Sequence, residues 1–157
     1  MRGGTRAVLA LQKAGVEFRL HEFEHDPTVR NFGLEAAAAS GVPAERVFKT
    51  LVAALDNGLG VGIVPVDRQL SMKGLATALG SKRAELADQS VAERVTGYVR
   101  GGISPFGQKK LLPTCIDDSA LVFPTVLVSG GRRGLEIEIA GADLVRVLGA
   151  VSGPIGV

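Results

Sequence analysis

The sequence is short of several things. In 157 residues it has one cysteine, Cys115, no tryptophan, one tyrosine and six phenylalanines. A lone cysteine cannot close an internal disulfide or build a thiolate zinc site. Long apolar runs are missing too. The aliphatic stretches, such as Leu51 to Leu55, fall far below the ~20 residues of a membrane span. The opening residues, Met-Arg-Gly-Gly-Thr-Arg, lead straight into a helical pattern with no apolar signal core. Charge of one sign is also lacking, because 18 basic and 16 acidic residues leave a formal net charge of +2. That balance neither requires nor forbids a nucleic-acid partner; only the placement of the charges decides. A soluble cytoplasmic protein is expected. With no repeat, low-complexity run or linker, residues 1–157 read as one domain, long enough to hold a core without staples.

What the chain has in excess is glycine: 21 residues, about twice the usual share of ~7%. Many of them punctuate elements. Thr5 is placed to cap a helix running to Ala14 and stopped by Gly15. Val16 to Phe23 alternates as a half-buried strand. Residues 33–40 form a short Ala-rich helix closed by Gly41 and Pro43. Val47 to Leu55 and Gly60 to Val66 read as a hairpin around Asp56-Asn57-Gly58. Ser71 caps a helix ended by Gly80, and Ser90 to Val95 forms another. Leu111 to Ile116, Ala120 to Val128 and Leu135 to Ile139 read as strands, with Pro113 and Pro124 marking edges or bends. A helix over Gly141 to Gly149 precedes a loose tail from Ser152 to Val157. Antiparallel strands broken by short helices define an α+β fold rather than a doubly wound parallel sheet.

Several chemistries can be set aside. No stretch has the spacing of a phosphate-binding loop, a dinucleotide fingerprint or a nucleophile elbow. His21 and His25 are four apart but lie on a strand and in a turn, so they read as ordinary histidines rather than metal ligands. Cys115 sits among apolar neighbours as a buried, inert thiol. No cofactor or metal is implied.

Three features remain. Lys49 stands at the start of an apolar strand; on an exposed face it is ordinary, whereas facing a pocket it would bind an anion or a polar oxygen. The loop Gly101-Gly102-Ile103-Ser104-Pro105-Phe106-Gly107-Gln108-Lys109-Lys110 could converge backbone N–H groups on an oxyanion, or could simply hold awkward dihedral angles. The doublets Lys82-Arg83, Lys109-Lys110 and Arg132-Arg133 form a phosphate-binding rim if they converge, and solvated surface if they do not.

Taken with His25-Asp26-Pro27, Phe32-Gly33, Phe48-Lys49-Thr50-Leu51 and Ser129-Gly130-Gly131-Arg132-Arg133-Gly134-Leu135, the glycine loop resembles the YbaK family of aminoacyl-tRNA deacylases. These are free-standing relatives of the editing domain of bacterial prolyl-tRNA synthetases. The resemblance runs from about Thr5 to Gly149. It implies a mixed α+β fold with a bent, barrel-like sheet and short helices packed around it. It also implies trans-editing of mischarged Cys-tRNA(Pro), with prolyl-tRNA synthetase as a partner. In that family Lys49, Gly101 and Gly102 would serve catalysis. Phe23, Phe32, Thr50, Ile103, Ser104 and Asp143 would shape the aminoacyl pocket, with Asp143 meeting the α-ammonium. Where the family often has a tyrosine, this chain has Phe23.

The implied chemistry needs no protein nucleophile. The thiol of the esterified cysteine attacks its own carbonyl, expels the ribose oxygen and leaves a cyclic thiolactone, so orientation supplies much of the acceleration. Other readings are a deacylase for another mischarged tRNA such as Ala-tRNA(Pro), a non-catalytic module binding nucleotides or tRNA acceptor ends, and a regulatory or cell-surface role for which the sequence offers no anchor.

Overall fold

A computed structural model describes residues 4–157; the opening Met-Arg-Gly, part of the expectation about an export signal, lies outside the described residues. Among the described residues, five α-helices and eight strands form the frame. In chain order they are α1 (Arg6–Ala14), β1 (Arg19–Glu22), α2 (Phe32–Ser40), β2 (Phe48–Leu55), β3 (Gly58–Pro65), α3 (Met72–Ala78), β4 (Ala84–Leu86), α4 (Gln89–Thr96), β5 (Thr114–Asp117), β6 (Val126–Ser129), β7 (Leu135–Ile139), α5 (Gly141–Leu148) and β8 (Val151–Gly153). The strands make a three-stranded antiparallel sheet, β1-β7-β6, and a five-stranded mixed sheet, β4-β2-β3-β5-β8. A single parallel bridge between Val47 and Leu127 joins the two sheets into one bent surface. This is the mixed α+β architecture expected above.

The caps at Thr5 and Ser71 work as the sequence suggests: Thr5 accepts the Val8 N–H and Ser71 that of Gly74. Asn31 adds a third, accepting the Leu34 N–H. The main core lies between the two sheets, where Leu135, Ile137 and Ile139 of β7 meet Phe48, Val52, Val61 and Ile63. The opposite face of the three-stranded sheet is covered by α2: Ala36 and Ala37 pack with Val47, Val66 and Leu127.

Four expectations are corrected. Ala120 to Val128 is not one strand. The Asp117 carboxylate caps a 3₁₀ turn over Asp118–Leu121, and pairing begins only at Val126, past Pro124. The strand expected from Leu111 starts later, at Thr114, and the one expected from Val16 is confined to Arg19–Glu22. The tail is not loose. β8 pairs in parallel with β5, Asp117 accepts the N–H groups of Ile155 and Gly156 at 3.1 and 2.7 Å, and Ile155 is fully buried. One isoleucine between proline and glycine is too short an apolar signal to read, yet its burial contributes about 1.5–3 kcal/mol.

The two sheets do not close completely. β2 pairs with β3 along its whole length, but with β4 only from Ala53 to Leu55. Between there and the Val47 bridge, the outer edge of β2 has no strand neighbour. A cavity occupies this gap.

Candidate active site

The cavity has a volume of about 520 Å³. Its floor is the unpaired stretch of β2, from Phe48 to Leu51 with Val47 before it. One wall is the start of α2 with Phe32, Gly33 and Ala36. The other holds Arg100, Gly101 and Ile103 from the glycine-rich loop, and Ser129 and Glu136 close the end.

The His25-Asp26-Pro27 motif positions the first wall. The Glu35 carboxylate accepts the Asp26 N–H at 2.8 Å and bonds His25 Nδ1 at 2.6 Å. This ties the loop to α2 and leaves Phe32 with its ring 5.5 Å from that of His25. His21 pairs instead with Glu138, so the two histidines serve separate structural contacts.

The second wall is held by α1. Thr5 Oγ1 donates to the Gly130 carbonyl, and the Arg6 guanidinium donates to the Thr96 carbonyl at 2.7 Å while lying over the Tyr98 ring. Tyr98 in turn donates to the Phe106 carbonyl. The glycines permit contacts that a side chain would block. A Cβ at Gly102 would lie 2.8 Å from the Arg132 Cα, so the loop and the 130–134 turn touch backbone to backbone. Gly101 has φ +84°, and a Cβ there would lie 2.7 Å from the Phe32 ring. Gly101→Ala is therefore expected to cost roughly 1–2 kcal/mol in a thermal melt and to displace Phe32. An unchanged melting temperature would show that the wall yields.

Lys49 lines the cavity and is half-buried. Burial lowers its pKa, and the nearby Asp67 carboxylate partly offsets this. Thr50 is buried, and its Oγ1 has no hydrogen-bond partner among the described residues. A buried hydroxyl without a partner is costly in an empty cavity and is relieved by a polar ligand.

Glu136 was not singled out from the sequence. The pattern Leu-Glu-Ile-Glu-Ile puts both glutamates on the face away from the core, which normally means solvent. Here that face is covered by α2 and the start of β2. Glu138 is well supplied, with His21 at 2.8 Å and Thr125 at 2.6 Å, and these hydrogen bonds hold its pKa low. Glu136, two residues away, has no such partner among the described residues. His21 stands opposite it in register but turns diagonally to Glu138. Burial alone pushes the Glu136 carboxyl up to about 8. It is 6% exposed and faces the cavity.

The sequence-derived site residues therefore divide. Lys49, Thr50, Phe32, Gly101 and Ile103 meet around the cavity. The Gly102 N–H is spent in a turn, donating to the Val99 carbonyl at 2.8 Å, whereas those of Gly101 and Ile103 find no partner among the described residues. Ser104 is fully buried behind the wall, where its Oγ accepts the Phe106 N–H at 3.2 Å. Phe23 packs into the cluster beneath α2 and does not line the cavity. Asp143 lies in the first turn of α5, paired with Arg146 at 3.0 Å, beside a different cleft formed with Phe18, Arg19 and Glu138. The cavity's carboxyl is Glu136, not Asp143. Of the three basic doublets, only Arg133 reaches the mouth; Arg132 pairs with Glu22.

The partly open pocket brings together a lysine, backbone donors without a partner among the described residues and a buried carboxyl. The comparisons specify the class. The aminoacyl-tRNA editing domain family matches residues 26–147, and the chain belongs to this family. A curated relative from Enterococcus faecalis, EbsC, is 36% identical over 139 residues, spanning 87% of this chain and 83% of its own length; it carries the name of a Cys-tRNA(Pro)/Cys-tRNA(Cys) deacylase. Solved structures share the fold. One, described as a trans-editing enzyme for prolyl-tRNA synthetase, is 22% identical with a TM-score of 0.87, covering 100% of this chain and 98% of its own. Another, of a hypothetical protein, is 24% identical with a TM-score of 0.87, covering 98% and 100%.

Proposed function

We propose that the chain, acting as a single domain, is a trans-editing deacylase that clears Cys-tRNA(Pro). The observation that carries this reading is the cavity's content. Its hydroxyls, Thr50 and Ser129, are not hydrogen-bonded to any basic side chain, and the Ser129 Oγ already accepts the Gly131 N–H at 3.2 Å. Cys115 is buried elsewhere, with burial the main cause of a thiol pKa raised to about 11. The site supplies donors and charges but no activated nucleophile of its own.

A cysteinyl ester brings that nucleophile. Its sulfur attacks the ester carbonyl, the C–O bond to the terminal ribose breaks, and the ribose oxygen leaves with a proton while the acyl group closes to a thiolactone. The free N–H groups of Gly101 and Ile103 receive the developing oxyanion. Lys49 lies against the ribose and favours departure of its oxygen. Glu136 takes the α-ammonium, and the Thr50 hydroxyl gains a polar partner. Phe32 bounds the side-chain space. With +2 net charge the chain has little to grip a whole tRNA, and prolyl-tRNA synthetase would supply tRNA identity.

Serine charged on the same tRNA lacks the thiol, and its release is expected to be about 100-fold slower or more, because the intramolecular advantage is lost. Deacylation of Cys-tRNA(Pro) and Ser-tRNA(Pro), with and without the synthetase, tests this. Equal rates would assign the reaction to an activated water, and no turnover above the spontaneous rate would leave only a binding module.

A further inference from the structure

Three arginines at the cavity mouth have no part in the chemistry above. Arg30 and Arg100 line its rim, and Arg133 lies beside them. The Arg133 guanidinium carbon is 4.7 Å from the centroid of the Phe32 ring, and that of Arg100 is 6.0 Å from the same centroid. The backbone helps to hold two of these side chains. Arg133 Nε donates to the Arg100 carbonyl at 2.8 Å, and Arg30 donates to the Pro27 carbonyl at 3.0 Å.

Three other arginines of the fold are matched by carboxylates. Arg132 pairs with Glu22, Arg46 contacts Glu138, and Arg146 pairs with Asp143. Arg30, Arg100 and Arg133 have no carboxylate partner among the described residues. Three like charges gathered at one rim, two of them against the Phe32 ring, repel one another, so the arrangement favours an anion. Guanidinium groups suit phosphate, which they meet with paired N–H donors.

We infer that Arg30, Arg100 and Arg133 form a clamp for the last phosphodiesters of a single-stranded RNA 3′ end, organised by Phe32. This deepens the deacylase reading and rests on it for orientation: with the acyl group inside the cavity, the terminal ribose fills the mouth and its phosphodiesters must leave across this rim. Such a clamp reads backbone rather than base sequence. It also gives a protein of nearly balanced charge a local grip on RNA.

The test uses the full chain and an uncharged, fluorescently labelled RNA ending in CCA, so no ester chemistry enters. Binding is followed by anisotropy between 50 and 200 mM KCl. With three phosphate contacts at ~0.7 counterions each, the fourfold rise in salt should weaken wild-type binding about 18-fold, and that of the Arg100→Gln/Arg133→Gln variant only about threefold. Arg100→Gln alone keeps the carbonyl that Arg133 uses, so it reports on charge without releasing the loop, and it should give an intermediate slope. A control, Lys82→Gln/Arg83→Gln, lies away from the mouth and should keep the wild-type slope. Replacing the two 3′-most phosphodiesters by neutral methylphosphonates should flatten the wild-type slope and change the double variant little. An unchanged slope in the arginine variants, an equal loss in the control, or indifference to the methylphosphonates would overturn the clamp. Because the RNA carries no amino acid, a chain that binds as described yet hydrolyses nothing would fail the deacylase reading while keeping the clamp.

Discussion

Lys49→Ala should lower the single-turnover deacylation of Cys-tRNA(Pro) by about 100-fold or more, the scale seen when one electrostatic donor is removed from a developing negative charge. The fold should not notice. Lys49 is half-buried and takes part in no ion pair among the described residues, so the melting temperature should stay within a degree or two. The pH profile adds a second reading. Burial lowers the lysine's pKa, so the cation that assists ribose departure is lost earlier on the alkaline side than for a solvated lysine. The wild-type rate should fall there, and the alanine variant should lack that limb. Full activity in Lys49→Ala would remove the residue from the mechanism.

Glu136→Gln is expected to separate stability from function. Burial pushes the carboxyl pKa up to about 8 in the folded chain, from the ordinary value of 4.5. The folded state thus binds this proton more tightly than the unfolded chain does. The sign follows: stability is greatest below the unfolded pKa and declines as pH rises from about 4.5 to 8. Urea titrations at pH 5 and pH 8 should show wild type losing about 2–4 kcal/mol more than Glu136→Gln across that interval. Identical pH dependence in the two proteins would place the carboxyl in a wetter setting. Activity should move the other way. A bound α-ammonium favours the ionised carboxylate, and glutamine cannot replace that charge, so kcat/KM for Cys-tRNA(Pro) should fall about 10- to 100-fold. With N-acetylcysteinyl-tRNA, which has no ammonium, wild type and variant should be nearly equal. A large difference between them there would assign Glu136 another task.

Much of the fold was legible because its signals are local. Thr5 and Ser71 cap, Gly15 and Gly41 stop, and the turn at Asp56-Asn57 pairs Leu55 with Gly58. What escaped depends on what covers what. Ile155 becomes an anchor only because Asp117, 38 residues earlier, is already in place to receive the backbone. The site divides in the same way. Lys49, Thr50 and Gly101 were found because they sit in motifs, whereas Glu136 was hidden in an alternating strand whose second face looks solvated. Only the packing of α2 against that face makes the carboxyl a cavity residue. Asp143 drew attention for the opposite reason: an acidic residue in a matching segment, which the α5 helix directs toward Arg146 instead.

The backbone contact between Gly102 and Arg132 has a thermodynamic consequence. Two loops that would wander separately are fastened to each other, and Thr5 and Arg6 fasten both to the first helix. The conformational entropy of that wall is surrendered when the chain folds, not when an ester arrives. On the proposed mechanism, each turnover would then spend its binding energy on bringing sulfur to carbonyl, and none on ordering the donors for the oxyanion.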